Sequence, residues 1–171
     1  MKLNIVPMQG LNDDEIADFA RLTLKYPLSV RFIELFQTNL RSKKLIDSLV
    51  TSEMAKKEIR NKLGRLEPVF GVIGNGPAKY YKLEGALGTI GFINGNTGNF
   101  CDSCNRLRMD CAGRISPCLF SGAVLDIRPL LRPNLNGDKL FSEIKEILII
   151  KPEYNKNKIV NPGIEMSSLG G

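Results

Sequence analysis

A chain of 171 residues with 43% hydrophobic and 25% charged residues holds enough apolar material for one medium domain or two small ones with real cores, and should be soluble and folded. The net charge of +6, from 24 basic and 18 acidic residues, favours acidic ligands, but no Lys/Arg block and no aromatic-interleaved basic run argues for nucleic acid, so a nucleotide or other small anion fits better. Four cysteines, no secretion signal and no apolar stretch near membrane-spanning length predict a reducing, cytoplasmic setting without a membrane; the lack of histidine leaves any metal to sulfur, oxygen or an external ligand and excludes histidine acid/base chemistry.

Leu3 to Met8 reads as a strand, and Asn12 as the N-cap of the helix after it. Asn12 and Glu15 have capping-box spacing, Asp13 and Asp14 suit the positive helix end, Ile16, Phe19 and Leu22 build an apolar face, and Pro27 stops the helix. Ser29 to Phe36 reads as a second strand, apolar on both faces as buried parallel strands are, with a charge near its end. Strand, helix and strand in this order predict a right-handed βαβ unit. Thr51 is placed to cap a helix through Leu63, with Ala55, Ile59 and Leu63 on one side and Gly64 at a left-handed stop.

The composition then changes. From Gly71 onward the chain is rich in Gly and Asn, with short strand candidates at Lys79 to Leu83 and Thr89 to Asn94, so a domain boundary is expected near Gly64 to Pro68, dividing 1–66 from 67–171. Gly71-x-x-Gly74-x-Gly76 lacks the strand-glycine-helix setting of a phosphate loop and reads as an ordinary loop. Gly113 turns a hairpin between Leu107–Met109 and Arg114–Ser116 that carries Cys118 back towards Cys101 and Cys104. Leu140, Ile144, Ile147 and Leu148 form the stripe of a last long helix, expected to end at Pro152, with an extended tail from Glu153 to Gly171.

Cys101, Cys104 and Cys118 stand at C-x-x-C-x13-C spacing, which suits one metal centre before it suits a disulfide. Spacing alone leaves both an iron-sulfur cluster and a structural zinc site open, the latter with Cys111 completing four thiolates. Arg106 and Arg108 share strand parity and could aim two guanidinium forks at one anion, although without the neighbouring cysteines they read as solvated strand charges. A metal centre beside an arginine pair suggests a bound phosphate compound. Cys111 reads as a small buried hydrophobe rather than a ligand.

The run from Gly85 to Phe120, with Gly88-Thr89-Ile90-Gly91-Phe92-Ile93, Phe100-Cys101-Asp102-Ser103-Cys104-Asn105-Arg106-Leu107-Arg108 and Pro117-Cys118-Leu119-Phe120, closely resembles the MoaA family of molybdenum cofactor biosynthesis proteins, the GTP 3′,8-cyclases. Gly76-Pro77-Ala78-Lys79-Tyr80-Tyr81 and the terminal Met166-Ser167-Ser168-Leu169-Gly170-Gly171 agree with it. The match covers essentially the whole chain but only the C-terminal half of the family's.

That resemblance implies a radical S-adenosylmethionine lyase with two iron-sulfur clusters in an incomplete α/β barrel. For this chain it implies an α/β partial (β/α) barrel of two βα units, followed by a small α+β iron-sulfur cluster-binding module. Cys101, Cys104 and Cys118 would ligate a [4Fe-4S] cluster whose fourth iron takes the guanine of GTP. Arg106, Leu107 and Arg108 would bind GTP, Lys2 would be a further GTP contact in a Lys-x-Asn pattern with Asn4, and Gly170 and Gly171 would form a tail reaching the active site. In the intact enzyme, reductive cleavage of S-adenosylmethionine at the other cluster yields a 5′-deoxyadenosyl radical that abstracts a ribose hydrogen from GTP, and the substrate radical cyclises onto the guanine.

Three departures stand out. The family's C-x3-C-x2-C motif, which holds the cluster that cleaves S-adenosylmethionine, is nowhere in this sequence, so this chain alone should not make the radical. Phe36 stands where the family usually has a methionine touching S-adenosylmethionine. Asp110-Cys111-Ala112 replaces a usual Thr, small residue and acidic residue. Two strand-helix units cannot close a barrel, so the first strand should expose an apolar edge, predicting a truncated or split product or partial sequence, and association with a chain supplying the N-terminal half-barrel or with a second copy. Two rivals remain: a non-catalytic iron-sulfur nucleotide-binding remnant or regulator, and a four-cysteine zinc protein.

Overall fold

A computed structural model of the chain describes residues 1–36, 45–71, 76–95, 104, 106–118 and 121–156, with the side chains at 46 and 152–156 excepted. Two compact units emerge, one of residues 1–36 and 44–100, the other of 37–43 and 101–171. Strands expected in a second module after Gly64–Pro68 thus belong to the first unit, because they complete its sheet.

In the first unit, β1 (Lys2–Ile5), α1 (Ile16–Lys25), β2 (Ser29–Ile33), α2 (Ser52–Leu63), β3 (Leu66–Val69), β4 (Lys79–Leu83) and β5 (Thr89–Ile93) build one open five-stranded sheet in the order β1-β2-β5-β4-β3. β1, β2 and β5 run parallel; β4 and β3 are antiparallel additions. No strand pairs with the outer side of β1 among the described residues, as the expected open edge requires. Pro68 in β3 is compatible with its edge position, where a missing amide interrupts no ladder.

Val30, Phe32, Ile90 and Phe92 are almost fully buried with Ile16, Ala20, Ala55 and Ile59. Phe32 and Phe92 stack at 5.8 Å, Tyr81 meets Phe92 edge-on at 5.6 Å, and the Lys56 ammonium lies 4.8 Å from the Tyr81 ring. The opposite parity of β2, Ser29, Arg31 and Ile33, is only half-buried, so the strand is not apolar on both faces as expected. A guanidinium cannot be buried without a polar partner, and Arg31 finds one in Asn4 across the β1–β2 ladder, its Nε donating to Asn4 Oδ1 at 2.7 Å.

The expected cap forms at Thr51, whose Oγ1 accepts from the Met54 amide at 3.2 Å. Gly64 ends that helix at φ +98°, a conformation that glycine adopts without strain. The capping box at Asn12 does not form. Its Oδ1 accepts instead from the Met8 amide at 2.7 Å and its Nδ2 donates to the Val6 carbonyl, so the side chain braces the incoming loop while a 3-10 turn at Asp13–Glu15 leads into α1. Gly88 passes so close to the chain before β2 that a Cβ would stand 2.1 Å from the Leu28 carbonyl oxygen.

The second unit holds β6 (Arg108–Met109), β7 (Arg114–Ser116) and β8 (Leu125–Asp126), an antiparallel sheet in that order, with α3 (Arg128–Leu131) and α4 (Gly137–Lys156). Ile115, Ile127 and Ile147 form its core, with Leu107, Leu125, Leu140 and Ile144 against them. Leu148, expected in the stripe, is 45% exposed. Pro152 does not end α4, which runs through it to Lys156. A proline removes one helical hydrogen bond, and the residue before it, Lys151, is anchored by other means. Of the expected extended tail, 153–156 are helical and the rest lies outside the described residues.

Candidate functional site

The β6–β7 hairpin positions the residues singled out by spacing. Its turn is closed by Asp110, whose Oδ1 accepts the amides of Ala112 at 3.0 Å and Arg114 at 2.9 Å while Oδ2 accepts from Arg114 Nε at 2.7 Å; Gly113 turns at φ +74°. The Arg114 amide, followed by the guanidinium, holds the Asp110 carboxyl below its ordinary value. Arg108 pairs with Ser116 and Met109 with Ile115, so Cys118 lies beyond Ser116 at the open end of the hairpin.

Towards that end Cys104, Arg106 and Arg108 lie on one arm and Cys118 at the end of the other. Cys118 is 7% exposed and Cys104 half-buried. Burial presses the Arg108 guanidinium below its ordinary pKa, the charges of Cys104 and Cys118 act in the opposite direction, and Arg106 adds to the lowering. Arg108 therefore sits within electrostatic reach of both thiols and of its companion arginine. Leu107 packs its side chain against the core of the unit, with an arginine on either side of it in sequence. Among the described residues, every ion pair uses other cations, so neither Arg106 nor Arg108 is matched with a carboxylate.

Cys118 is held closely. Its amide donates to Ser121 Oγ at 3.1 Å, its carbonyl accepts from the same hydroxyl at 3.1 Å and from the Ser121 amide at 3.3 Å, and the carbonyl of Pro117 accepts from Lys151 Nζ. Cys101 lies outside the described residues, and among the described ones no three ligand side chains cluster. Two sulfur donors on the two arms of one hairpin, in a chain without histidine, suit a thiolate-bound metal group.

Cys111 is exposed in the turn, not buried as expected. Cys111 is three residues along one arm from the Arg108–Ser116 rung and five along the other, at least about 10 Å at ~3.3 Å per residue. Thiolates on one zinc need each sulfur within ~2.3 Å of the metal, so Cys111 cannot join Cys118 there.

Lys2 opens β1 exposed, on the same strand parity as Asn4, which places it on the sheet face that carries Arg31. Arg31 was missed from sequence; the alternation Ser29-Val30-Arg31-Phe32 was the signal. Phe36 lies past the end of β2 against Gly95, where a Cβ would meet its ring at 2.8 Å. Glu34, 1% exposed, was noted only as a charge near the strand end. Its Oε1 accepts the Ser52 amide at 2.9 Å and Ser52 Oγ donates to Asn94 at 2.8 Å, so it caps α2 at the C-terminal ends of the parallel strands. Gly170 and Gly171 lie outside the described residues.

A family model for Molybdenum Cofactor Synthesis C matches residues 28–157. The chain belongs to that family. It is 43% identical to a GTP 3′,8-cyclase of Heliobacterium modesticaldum over 152 residues, covering 89% of this chain and 46% of the relative. Against the GTP 3′,8-cyclase of Pelotomaculum thermopropionicum it is 39% identical over 100% of its own length and 53% of the relative, and against that of Thermodesulfovibrio yellowstonii 36% identical over 100% and 52%. The chain thus spans about half the length of the curated relatives it matches. In this Molybdenum Cofactor Synthesis C chain, no helix among the described residues is long and apolar enough to cross a membrane.

Proposed function

We propose that this chain is the substrate-holding part of a GTP 3′,8-cyclase, acting in the cytoplasm in molybdenum cofactor synthesis. The observation that carries the reading is the hairpin, with Arg108 opposite Ser116 and its two arms joined by Lys151 through the Arg106 and Pro117 carbonyls, so that the arginine pair and Cys118 share one end. Cys101 joins the two described cysteines as the third thiolate of a [4Fe-4S] cluster, which when bound supplies an iron site open to the guanine. Arg106 and Arg108 give charge-assisted hydrogen bonds to the phosphates, the Leu107 main chain lies between them, and Lys2 and the Gly170–Gly171 tail are further contacts. The first unit is the C-terminal part of an incomplete barrel, its open β1 edge meeting the half that carries the S-adenosylmethionine-cleaving cluster.

Anaerobic reconstitution with iron and sulfide tests the reading. Incorporation of about four irons per chain and an electron paramagnetic resonance signal of the reduced cluster that changes with GTP support it. A colourless protein holding one zinc and giving no response to GTP overturns it.

A further inference from the structure

Leu140, Ile144, Ile147 and Lys151 follow one another at i, i+4, i+7 and i+11 on one face of α4, so Lys151 takes the next core position of the stripe. It is 4% exposed. An ammonium in such a place needs its protons accepted, and Nζ donates to the main-chain carbonyls of Arg106 and Pro117. No carboxylate pairs with it among the described residues. A leucine or methionine would fill the same core position with no charge to desolvate.

The two carbonyls are the informative part. One belongs to the peptide between Arg106 and Leu107, inside the arginine arm; the other belongs to the peptide between Pro117 and Cys118. That second peptide is gripped from both ends, its oxygen by Lys151 and its N–H by Ser121 Oγ at 3.1 Å. Asp110 fixes the turn end of the hairpin and the Arg108–Ser116 rung its middle; beyond that rung, Lys151 bridges the two arms.

We propose that Lys151 is a positioning residue of the cysteine–arginine site: it ties the peptide before Leu107 to the peptide before Cys118, setting the spacing between the guanidinium arm and the Cys118 thiol. This deepens, and for its metal-binding arm rests on, the reading of Cys118 as a cluster ligand.

The test compares the full chain with Lys151→Met and Lys151→Arg. In the metal-free proteins, amide hydrogen exchange is read at Cys118, with Ile59 and Ile115 as controls for the two folded units. Lys151→Met is expected to speed exchange at Cys118 at least about tenfold with the controls unchanged, and Lys151→Arg to restore protection. After reconstitution, loss of iron to a chelator is expected about 10- to 100-fold faster in Lys151→Met, the range seen when support behind a metal ligand is removed, and again restored by arginine. Wild-type protection of Cys118 in Lys151→Met overturns the proposal, as does equal loss at Cys118 and Ile115. Should Lys151→Met not fold, Lys151→Gln, too short to span both carbonyls, decides by the same measurements. A wild-type chain that takes up no iron refutes the cluster reading alone, because the exchange at Cys118 still decides the role of Lys151.

Discussion

Replacing Arg108 by Gln removes the charge and the fork of the guanidinium while keeping most of its stem. Arg108 is half-buried, lies in reach of Cys104, Cys118 and Arg106, and has no carboxylate partner among the described residues, so no internal ion pair is broken by the change. What is lost is a charge-assisted contact in a partly desolvated place, worth ~1.5–3 kcal/mol. At ~1.4 kcal/mol per tenfold in affinity, GTP should bind roughly 10- to 100-fold more weakly. Calorimetric titration of the reconstituted chain measures this, with Arg128→Gln as control. Arg128 sits in the same unit and carries the same charge, but its guanidinium is committed to Asp126. The deficit of Arg108→Gln should shrink as salt rises, because part of it is electrostatic. Binding within about twofold of wild type at low salt would refute the assignment of Arg108 to the phosphates.

Other expectations follow from the packing and the charges. Phe92→Ala empties a site that is 1% exposed and stacked on Phe32, and should cost ~3–5 kcal/mol in urea unfolding followed in the first unit. Thr51→Ala should lose ~1 kcal/mol by the loss of the cap to Met54, and Thr51→Ser should recover most of it. The Arg128 guanidinium and amide hold the Asp126 carboxyl at about 2, against an ordinary 3.8. A lowered folded value means that the contribution of this group is present above about 3.8 and is lost as pH falls towards 2. The carboxyl carbon of Asp126 should accordingly titrate near 2 by nuclear magnetic resonance, and return towards 3.8 in Arg128→Ala.

Much of this was legible because the determining contacts are short. Thr51 to Met54 and Asp110 to Arg114 are three and four residues apart, and cap and turn chemistry act at that range. Legibility failed where two partners competed or a distant one decided. Asn12 could have served its own helix, but the loop just before it, at Met8 and Val6, claims its side chain. Pro152 marks a helix end by local rules, yet the turn before it is fastened to a hairpin far back in the chain. For the site, spacing and resemblance picked out the cysteines and arginines. Lys151 escaped because a lysine late in a helix usually faces water, although its register with Ile144 and Ile147 was available.

The separation of these contacts along the chain also sets an order in time. The hairpin closes on contacts two to four residues long, whereas the Lys151 clasp spans 34 residues to Pro117 and 45 to Arg106. During synthesis, Cys104 and Cys118 leave the ribosome well before α4 exists to brace them, and loop closure over the longer span comes later. The spacing of the two peptides that carry the Arg106 and Pro117 carbonyls is therefore set last, after the hairpin has closed.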